Sequence, residues 1–368
     1  MERAEVVVIG GGVIGASIAF HLAEAGVDVL LLERAELGSG STGKGAGGVR
    51  AMFSDELNVR MGLRDLDAWR RFGERPGWEV DFEQVGYLFL LARPEDVGRF
   101  ERDVAMQNAL GLPSRMLTPE EARRLSPLAR LEGIQAAAFC PRAGIATPDA
   151  AVQGYAAGAR AHGARISRGC PVTAIECEAG KVRRVRWEAG GVDTPAVVCA
   201  AGVWSGEVGA MAGVHLPVTP ERRRIAYTGP VEDLPERIPM TIDFETGFYF
   251  HREGPGLLFG TSDVCETQDE WLERAAPILE RRAPVLLEAP IAGGWSGLYE
   301  MTPDHNALIG EAPAPSRFLY ATGFSGHGFQ QAPAVGEIVR DLYLRREPFV
   351  DVAPLAAGRP ERRELGVV

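Results

Sequence analysis

The first thirty-three residues constrain the fold of this chain more than any other stretch. The apolar run Val6–Ile9 is followed by Gly10, Gly12 and Gly15 in GxGxxG spacing, and then by an apolar-periodic segment. This order predicts a buried strand, a tight turn and a helix over residues 13–25, whose first backbone N–H groups can bind a pyrophosphate. The alternative interpretation is a strand–turn–helix unit that binds no nucleotide and keeps its glycines for packing.

A second predicted strand, over residues 27–32, ends in Glu33. An acid about 20 residues after the glycine motif binds ribose hydroxyls in dinucleotide folds. Because this carboxylate would repel a 2′-phosphate, the sequence favours FAD or NAD over NADP. The glycine-rich stretch 38–50 is too long for a simple turn and suits a loop that wraps a ligand closely. The alternative for that stretch is a flexible surface linker.

Composition excludes several classes of partner. A chain of 368 residues is long enough for two domains. The net charge of −11 and the isoelectric point near 5.2 argue against nucleic acid or an anionic membrane surface as a partner. No signal-peptide pattern or membrane-spanning run is found, so we predict a cytoplasmic location. Five cysteines without metal-ligand spacing predict reduced thiols and no metal site.

The rest of the chain changes character twice. Residues 82–139 predict a strand and two helices that lie outside the nucleotide-binding unit. Buried strands return near residues 196–205 and 318–322, the second followed by the glycine-rich junction 323–329 and a helix. Strand-like segments dominate between residues 218 and 291, so we predict a second, sheet-containing domain. Residues from 353 onward are expected to form a loose tail.

Taken together, these stretches resemble the FAD-dependent D-amino-acid oxidase superfamily, and within it the sarcosine oxidase and proline dehydrogenase beta-subunit branch. The resemblance covers nearly the whole chain. Its carriers are the N-terminal glycine and Glu33 unit, Ser41-Thr42-Gly43, Ala200 to Ser205, Met301-Thr302-Pro303-Asp304 and Gly323 to Phe329.

The resemblance implies an α/β fold with two parts. The first is a doubly wound, Rossmann-like FAD-binding domain assembled from separated segments, and the second is a substrate domain with a mixed, largely antiparallel sheet. The boundaries that follow are 1–81, 140–217 and 303–346 for the FAD-binding domain, 82–139 and 218–302 for the substrate domain, and 347–368 for a C-terminal tail.

The resemblance also implies which residues hold the cofactor, FAD. They come from the glycine turn, the second strand, the glycine-rich loop, an adenine-side contact and the two later strand ends. They are Gly10, Gly12, Val13, Ile14, Gly15, Glu33, Arg34, Ser41, Thr42, Gly43, Val172, Ala201, Gly202, Trp204, Gly323, Gly326, His327, Gly328, Phe329 and Gln330.

Departures from the family pattern narrow the choice among the branches of the family. The cysteine that binds flavin covalently in sarcosine oxidases would fall at Gly297, so we predict non-covalent FAD. The carboxylate-binding arginine of glycine and D-amino-acid oxidases would fall at Tyr299. A lysine of the monomeric sarcosine oxidases is replaced by Gln330, and their oxygen-activating lysine would fall near the apolar Leu258. An oxidase and a dehydrogenase that passes electrons to a partner both remain open.

The working hypothesis is that a secondary or N-methyl amino acid of the sarcosine, proline or dimethylglycine type binds over the flavin. Hydride would pass to the flavin, and the imine product would be hydrolysed. Arg50 would hold the substrate carboxylate, because a guanidinium group forms two charge-assisted hydrogen bonds with it. The candidates to contact substrate or flavin are Arg50, Tyr249, Tyr299 and His327.

Arg50 and the two tyrosines also have an interpretation in which they serve only the structure. Arg50 could form a surface salt bridge, and the tyrosines could be core residues. Arg222, Arg223 and Arg224 are further candidates for binding the substrate carboxylate, although a charge run is usually a solvated face. A second hypothesis for the whole chain is an FAD-binding subunit or assembly factor of a larger complex without its own turnover. An alpha subunit or an electron-acceptor protein is the partner that this hypothesis requires. A NAD-linked dehydrogenase is a third interpretation.

Overall fold

The computed structural model describes residues 2–360 and 363–364. Its strands, in chain order, are β1 Glu2–Arg3, β2 Val6–Ile9, β3 Val29–Leu32, β4 Gly48–Val49, β5 Tyr87–Leu91, β6 Arg115–Leu117, β7 Ala136–Cys140, β8 Gly144–Ile145, β9 Arg165–Ser167, β10 Val172–Glu178, β11 Lys181–Trp187, β12 Gly190–Asp193, β13 Val197–Cys199, β14 Thr219–Thr228, β15 Met240–Asp243, β16 Phe248–Glu253, β17 Gly256–Gly260, β18 Ile291–Met301, β19 Leu308–Glu311 and β20 Phe318–Thr322.

The helices, in the same order, are α1 Val13–Glu24, α2 Glu56–Arg70, α3 Pro94–Ala109, α4 Pro119–Leu125, α5 Pro148–Ala161, α6 Ser205–Met211, α7 Gln268–Arg282, α8 Val285–Glu288 and α9 Gly328–Tyr343. Short 3-10 turns cover Thr42–Lys44, Gly202–Trp204 and Ala353–Leu355. Among the described residues, every helix is too short or too polar to cross a bilayer.

A six-stranded sheet in the order β19-β20-β13-β2-β3-β9 carries the predicted nucleotide-binding unit. Its strands pair in parallel except at the β19 edge. On β2, Val6 and Val8 join the core under α1, α5 and α9, whereas Val7 and Ile9 join a core on the opposite face. Because a parallel sheet is buried on both faces, its strands are continuous apolar runs, which is the pattern that predicted them.

An eight-stranded sheet in the order β18-β14-β17-β16-β15-β5-β7-β6 forms the second layer of the molecule. Each neighbouring pair is antiparallel except β15 with β5, so the predicted mixed, largely antiparallel sheet is confirmed. Strands β5 to β7 come from one segment of the chain and β14 to β18 from another. The exact domain boundaries stay a prediction.

Alternation along these strands separates a packed face from a cavity face. Leu88, Phe248 and Phe259 point to a core that includes Trp271 of α7. Residues on the opposite face line a cavity instead; they include Tyr87, Arg223, Met240 and Tyr249. The period of two residues along a strand therefore gives the sheet one apolar packed face and one face available for ligands.

Two smaller sheets complete the fold. Strands β1, β12, β11 and β10 form a four-stranded sheet, and its residues Val182, Val185 and Val192 pack against the second face of the six-stranded sheet. Strands β4 and β8 form a two-residue antiparallel pair. That pair fixes the end of the glycine-rich loop directly before Arg50.

The predicted loose tail is wrong for residues 353–360 and 363–364. Leu355 is buried, and the Arg359 guanidinium forms an ion pair with Asp304 at 2.6 Å. The carboxylate of Glu364, which is only 1% exposed, accepts a hydrogen bond from the Ser54 hydroxyl at 2.6 Å. These long-range pairs leave no trace in local composition, which is why the sequence did not predict them. The tail residues 361–362 and 365–368 lie outside the described residues.

Candidate active site

Two adjoining cavities form one elongated site. The first, of about 180 Å³, lies against the cavity face of the eight-stranded sheet, and the second, of about 290 Å³, lies over the glycine-rich turn. They share a wall made of Val13, Ile14, Ser41, Thr42 and Glu300. The start of α1 and the glycine-rich loop therefore belong to both.

The glycine turn is closed so tightly that side chains are excluded. Gly10 has φ +114°, and a Cβ there would lie 2.2 Å from the Ala200 carbonyl oxygen. A Cβ on Gly15 would lie 1.9 Å from the Gly10 oxygen. Gly12 precedes α1 and offers no side-chain cap, so the positive end of the helix dipole faces the second cavity. This geometry suits a phosphate group.

Residues beside the turn order its surroundings. Thr42 accepts a hydrogen bond through Oγ1 from the backbone N–H of Val13 at 3.1 Å. The Glu33 carboxylate accepts from Gly11 N at 2.6 Å and from Ala35 N at 2.7 Å. Glu33 therefore holds the turn in place, and its predicted contact with a ribose stays a prediction.

Arg50 lies inside the first cavity, so its interpretation as a surface salt bridge is wrong. The side chain is buried, and its guanidinium group stacks 4.7 Å from the Phe53 ring and 5.5 Å from the Phe89 ring. It donates hydrogen bonds to the Met52 carbonyl oxygen and, at 3.2 Å, to Nε2 of His327. Burial lowers the pKa of Arg50, and nearby Tyr87, Glu364 and Tyr299 act in the opposite direction.

His327 is neutral in this arrangement. A guanidinium group can only donate, so Nε2 of His327 accepts from Arg50 and the ring proton sits on Nδ1. Burial first, and then the charge of Arg50, hold the pKa of His327 well below its usual range. The imidazole therefore stays uncharged at neutral pH and fixes the position of Arg50.

Three tyrosines form one wall of the first cavity. Tyr87, Tyr249 and Tyr299 line the first cavity, and burial raises the pKa of all three phenols. A Cβ on Gly326 would meet the Tyr299 ring at 2.6 Å, so a glycine there allows the loop to lie directly on that ring. These tyrosines are apolar surfaces with neutral hydroxyl groups that can donate or accept a hydrogen bond.

A second arginine, Arg223, lines the same cavity from β14 and is partly buried. Its NH2 pairs with Glu221 at 2.5 Å, and its guanidinium carbon lies 5.5 Å from the Tyr299 ring centroid. Its Nε and NH1 atoms are buried and find no hydrogen-bond acceptor among the residues that the structure describes. Buried donors of this kind are normally satisfied, so they indicate a missing anionic or carbonyl ligand.

Two further polar groups complete the lining. Gln330 accepts a hydrogen bond through Oε1 from the Arg50 backbone N–H at 3.0 Å, while its buried Nε2 has no acceptor in the described part of the chain. Glu300 accepts from the Thr322 hydroxyl at 2.8 Å and from Gly323 N at 3.0 Å. Burial raises the pKa of Glu300 to about 7.

The structure brings most of the sequence-predicted residues together. The first cavity contains all four candidates for contact with substrate or flavin, Arg50, Tyr249, Tyr299 and His327. The predicted cofactor residues that line the second cavity are Gly10, Gly12, Val13, Ile14, Glu33, Arg34, Ser41, Thr42, Val172, Ala201, Gly202 and Trp204. Those that line the first are Val13, Ile14, Ser41, Thr42, Gly326, His327, Gly328, Phe329 and Gln330.

Three predicted residues lie outside both linings. Gly15 packs on Gly10, as its place in the motif predicts. Gly323 lies against Thr302, to which a Cβ would approach within 2.4 Å. Gly43 is turned away toward Gly38 and the carboxylate of Asp149, because the 3-10 turn Thr42–Lys44 rotates it out of the site.

Other features are placed elsewhere or are absent. Leu258 and His251 line a separate cavity beside the glycine-rich loop, and burial lowers the pKa of His251 to about 4. No cluster of metal-binding side chains exists within the described ranges. The cysteines in these ranges are all free thiols.

The sequence did not point to Tyr87 or Glu300, and it gave Arg223 as one of three neighbouring candidate arginines without separating them. The signal for Arg223 was strand periodicity. Strand β14 begins at Thr219, and its alternation places Arg223 and Ile225 on the cavity face. Arg222 points away and donates to the Ser296 hydroxyl at 3.1 Å. Alternation along a strand that includes residues 219–228 assigns Arg222 and Arg223 to opposite faces of the sheet.

The lining residues fit FAD. The close-packed glycine turn, the backbone N–H groups at the start of α1 and the unsatisfied Nε2 of Gln330 offer partners for a pyrophosphate and a polar ring edge. The Arg34 guanidinium lies 4.6 Å from the centroid of the Trp204 ring in the second cavity, forming a flat surface beside the predicted adenosine end.

Comparison with known proteins agrees with the fit of these residues to FAD. A family model described as FAD dependent oxidoreductase (DAO) matches residues 5–342. The crystal structure of L-proline dehydrogenase from P. horikoshii superposes with a TM-score of 0.91 and 34% identity, covering 97% of each chain.

Two curated relatives are longer proteins. Mitochondrial dimethylglycine dehydrogenase of Mus musculus is 31% identical over 97% of this chain and 44% of its own length. Mitochondrial sarcosine dehydrogenase of Homo sapiens is 28% identical over 95% of this chain and 41% of its own length. The chain therefore spans less than half the length of these two dehydrogenases.

Proposed function

The chain belongs to the DAO family of FAD-dependent oxidoreductases, and from that membership we propose that it oxidises the C–N bond of a small secondary or N-methylated amino acid. The predicted resemblance and the assignment as an FAD-dependent enzyme of the amino-acid oxidase class are confirmed. The similar proteins are named for dimethylglycine, sarcosine and L-proline. Their names support a substrate of this class for the present chain.

The observation that carries the proposal is the pair of arginines in the first cavity. Arg50 enters from the glycine-rich loop and Arg223 from β14, and the guanidinium group of each lies against an aromatic ring. Glu221 balances the charge of Arg223, so one positive charge is left for a substrate. This arrangement supports binding of a monocarboxylate, with the unsatisfied Nε and NH1 of Arg223 as its donors.

The remaining lining supports an amine with little polarity. Met240, Ile225 and Ile242 lie beside the tyrosines and give the cavity an apolar surface. An N-methyl group or a ring methylene is stabilised by such a surface, whereas a primary ammonium would lose its hydration there. The lining therefore favours a secondary or tertiary amine over glycine.

The residues of the chain also favour the reactive form of the amine. A bound ammonium group would lose its hydration against the apolar lining of Met240, Ile225 and Ile242, so its pKa falls and the neutral amine is preferred. The neutral His327 holds Arg50 without adding charge. FAD supplies the hydride acceptor when bound, and the resulting imine is released to water for hydrolysis.

We propose that FAD is held without a covalent bond. The two cavities would hold the cofactor through the start of α1, the glycine-rich loop and the loop that leads into α9. A side chain at Gly297 would meet Cβ of Lys44 at 2.7 Å, which leaves no room for a cysteine at that position. Release of all yellow colour from acid-precipitated protein is the expected result, and colour retained in the pellet would contradict it.

We further propose that the enzyme is a dehydrogenase whose electrons pass to a partner protein. Leu258, near which the oxygen-activating lysine of the monomeric sarcosine oxidases would fall, is apolar and faces a different cavity. The similar proteins named above are dehydrogenases. An alpha subunit or a separate electron carrier would serve as the acceptor.

Steady-state turnover tests the function. Purified protein is incubated with sarcosine, L-proline, dimethylglycine, glycine or D-alanine and an artificial electron acceptor. We expect reduction of the acceptor with one of the first three substrates, and slow turnover when air replaces the acceptor. Equal rates in air would identify an oxidase instead.

The second candidate function is an FAD-binding subunit or assembly factor without independent turnover. It is favoured by the length comparison, because the two related mitochondrial dehydrogenases are more than twice as long as the matched region. A yellow protein that reduces no acceptor with any of the five amines would support it.

A further inference from the structure

Glu300 is a buried acid in the wall between the two cavities. Among the described residues that line both cavities, it alone carries an ionisable side chain. Its Oε2 accepts hydrogen bonds from the Thr322 hydroxyl and the Gly323 backbone, and Oε1 lies 3.5 Å from the position of a Cβ on Gly328. The carboxyl group is therefore held between the end of β20 and the start of α9.

Among the residues that the structure describes, no cation pairs with the Glu300 carboxylate. In the part of the chain that the structure describes, the groups that act on the pKa of Glu300 are burial, one hydroxyl and two backbone N–H groups. Burial dominates and raises the pKa to about 7. The unliganded protein thus holds Glu300 as a mixture of acid and carboxylate near neutral pH.

The elements around Glu300 contribute few other titrating groups. β13 contributes Cys199, whose pKa burial raises to about 11, with Glu300 adding to the rise. The turn Thr42–Lys44 contributes the exposed Lys44, and the start of α9 contributes the neutral His327. The first turn of α1 and the turn Gly202–Trp204 contribute no ionisable side chain. Glu300 is thus the group in this wall that can change charge between pH 6 and 8.

We propose that Glu300 is a cofactor-contacting acid that takes up one proton from solvent when FAD binds, so that FAD affinity is linked to pH. This inference rests on the proposed binding of FAD. A pyrophosphate at the start of α1 would bring two negative charges into a cavity that Glu300 lines. A cofactor that fills both cavities would also displace the remaining water from the carboxyl group. Both changes disfavour the carboxylate, and the protonated acid gains a hydrogen to donate.

The linkage predicts a definite dependence of affinity on pH. Below pH 7 the free protein already carries the proton, so affinity is constant. Above pH 7 binding must be accompanied by proton uptake, so the dissociation constant rises, reaching about tenfold between pH 6 and pH 8. Replacement by glutamine keeps the size and hydrogen-bond acceptor of the side chain and removes the titration.

The test is the FAD dissociation constant of the full-length chain, measured by flavin fluorescence from pH 6 to pH 9. We expect an about tenfold rise between pH 6 and pH 8 for the wild type and no rise for Glu300→Gln. The control variant Glu207→Gln removes an exposed carboxylate at the mouth of the second cavity. It should keep the wild-type dependence on pH.

Calorimetry of FAD binding to the wild type at pH 7.5, in buffers with different ionisation enthalpies, gives a second readout that needs no variant. Heats that depend on the buffer with the sign of proton uptake support the inference. Heats independent of buffer, or a rise in the dissociation constant that persists in Glu300→Gln, would overturn it while leaving the proposed function intact. Failure of the wild type to bind FAD at any pH would overturn both.

Discussion

The replacement of Arg223 by methionine tests the assignment of the substrate site. Methionine keeps an unbranched stem against Tyr299 and removes the guanidinium group, whose Nε and NH1 have no acceptor among the described residues. Hydrogen bonds between charged groups contribute about 1.5–3 kcal/mol each. Loss of both bonds to the substrate carboxylate, about 3–6 kcal/mol together, corresponds to a fall in kcat/KM of about a hundredfold to ten-thousandfold. FAD affinity should change little, because Arg223 is not among the residues predicted to hold the cofactor and lies outside the cavity over the glycine turn.

A matched control comes from the neighbouring residue. Arg222 lies on the opposite face of β14, is exposed and donates to the Ser296 hydroxyl. Arg222→Met should therefore leave kcat/KM within about twofold of the wild-type value. Steady-state kinetics with a secondary amino acid and with its methyl ester complete the assay, because the ester lacks the negative charge. An Arg223→Met enzyme that discriminates between acid and ester as strongly as the wild type would refute the assignment.

Three further predictions concern the scaffold. Gly10→Ala should abolish FAD binding or folding, because its Cβ would lie 2.2 Å from a carbonyl oxygen, whereas Gly26→Ala, at φ +84° in open space, should cost only about 1 kcal/mol by thermal unfolding. Arg359→Met should lower the free energy of unfolding by about 3–5 kcal/mol because it strands the buried Asp304, and adding Asp304→Asn should restore part of it. His251 is held neutral with a pKa of about 4, so the unfolded chain binds its proton first as pH falls below about 6.5, and stability is lost. Between neutral pH and pH 5 the wild type should lose about 2 kcal/mol of unfolding free energy through this group. The His251→Gln variant should lack this contribution, so its unfolding free energy should fall by about 2 kcal/mol less over the same pH range.

The N-terminal unit was predictable because its evidence is local. The strand, the glycine spacing and Glu33 all lie within thirty-three consecutive residues, and backbone sterics allow few alternatives at Gly10 and Gly15. The cofactor residues were placed by the family resemblance, and the structure brings all but three of them to the two cavities.

The roles of the remaining residues could not be read from the sequence, because they depend on contacts between segments that are distant in the chain. Arg223 looks like part of a solvated run until β14 is paired with β18 along its whole length, which turns it toward the cavity. Glu300 directly precedes the motif Met301-Thr302-Pro303-Asp304, and only the fold shows that its side chain lies in the wall between the two cavities. The pairing of Arg359 with Asp304 joins residues 55 positions apart, so composition alone suggested a loose tail.

The most direct test of the whole account is an anaerobic titration of the purified protein with sarcosine, L-proline and dimethylglycine, followed at the visible flavin band. We predict that one of these amines bleaches the band, that Arg223→Met requires a higher concentration of it, and that colour returns slowly on admission of air. A yellow protein that none of the three amines bleaches would contradict the proposed oxidation of a secondary or N-methylated amino acid.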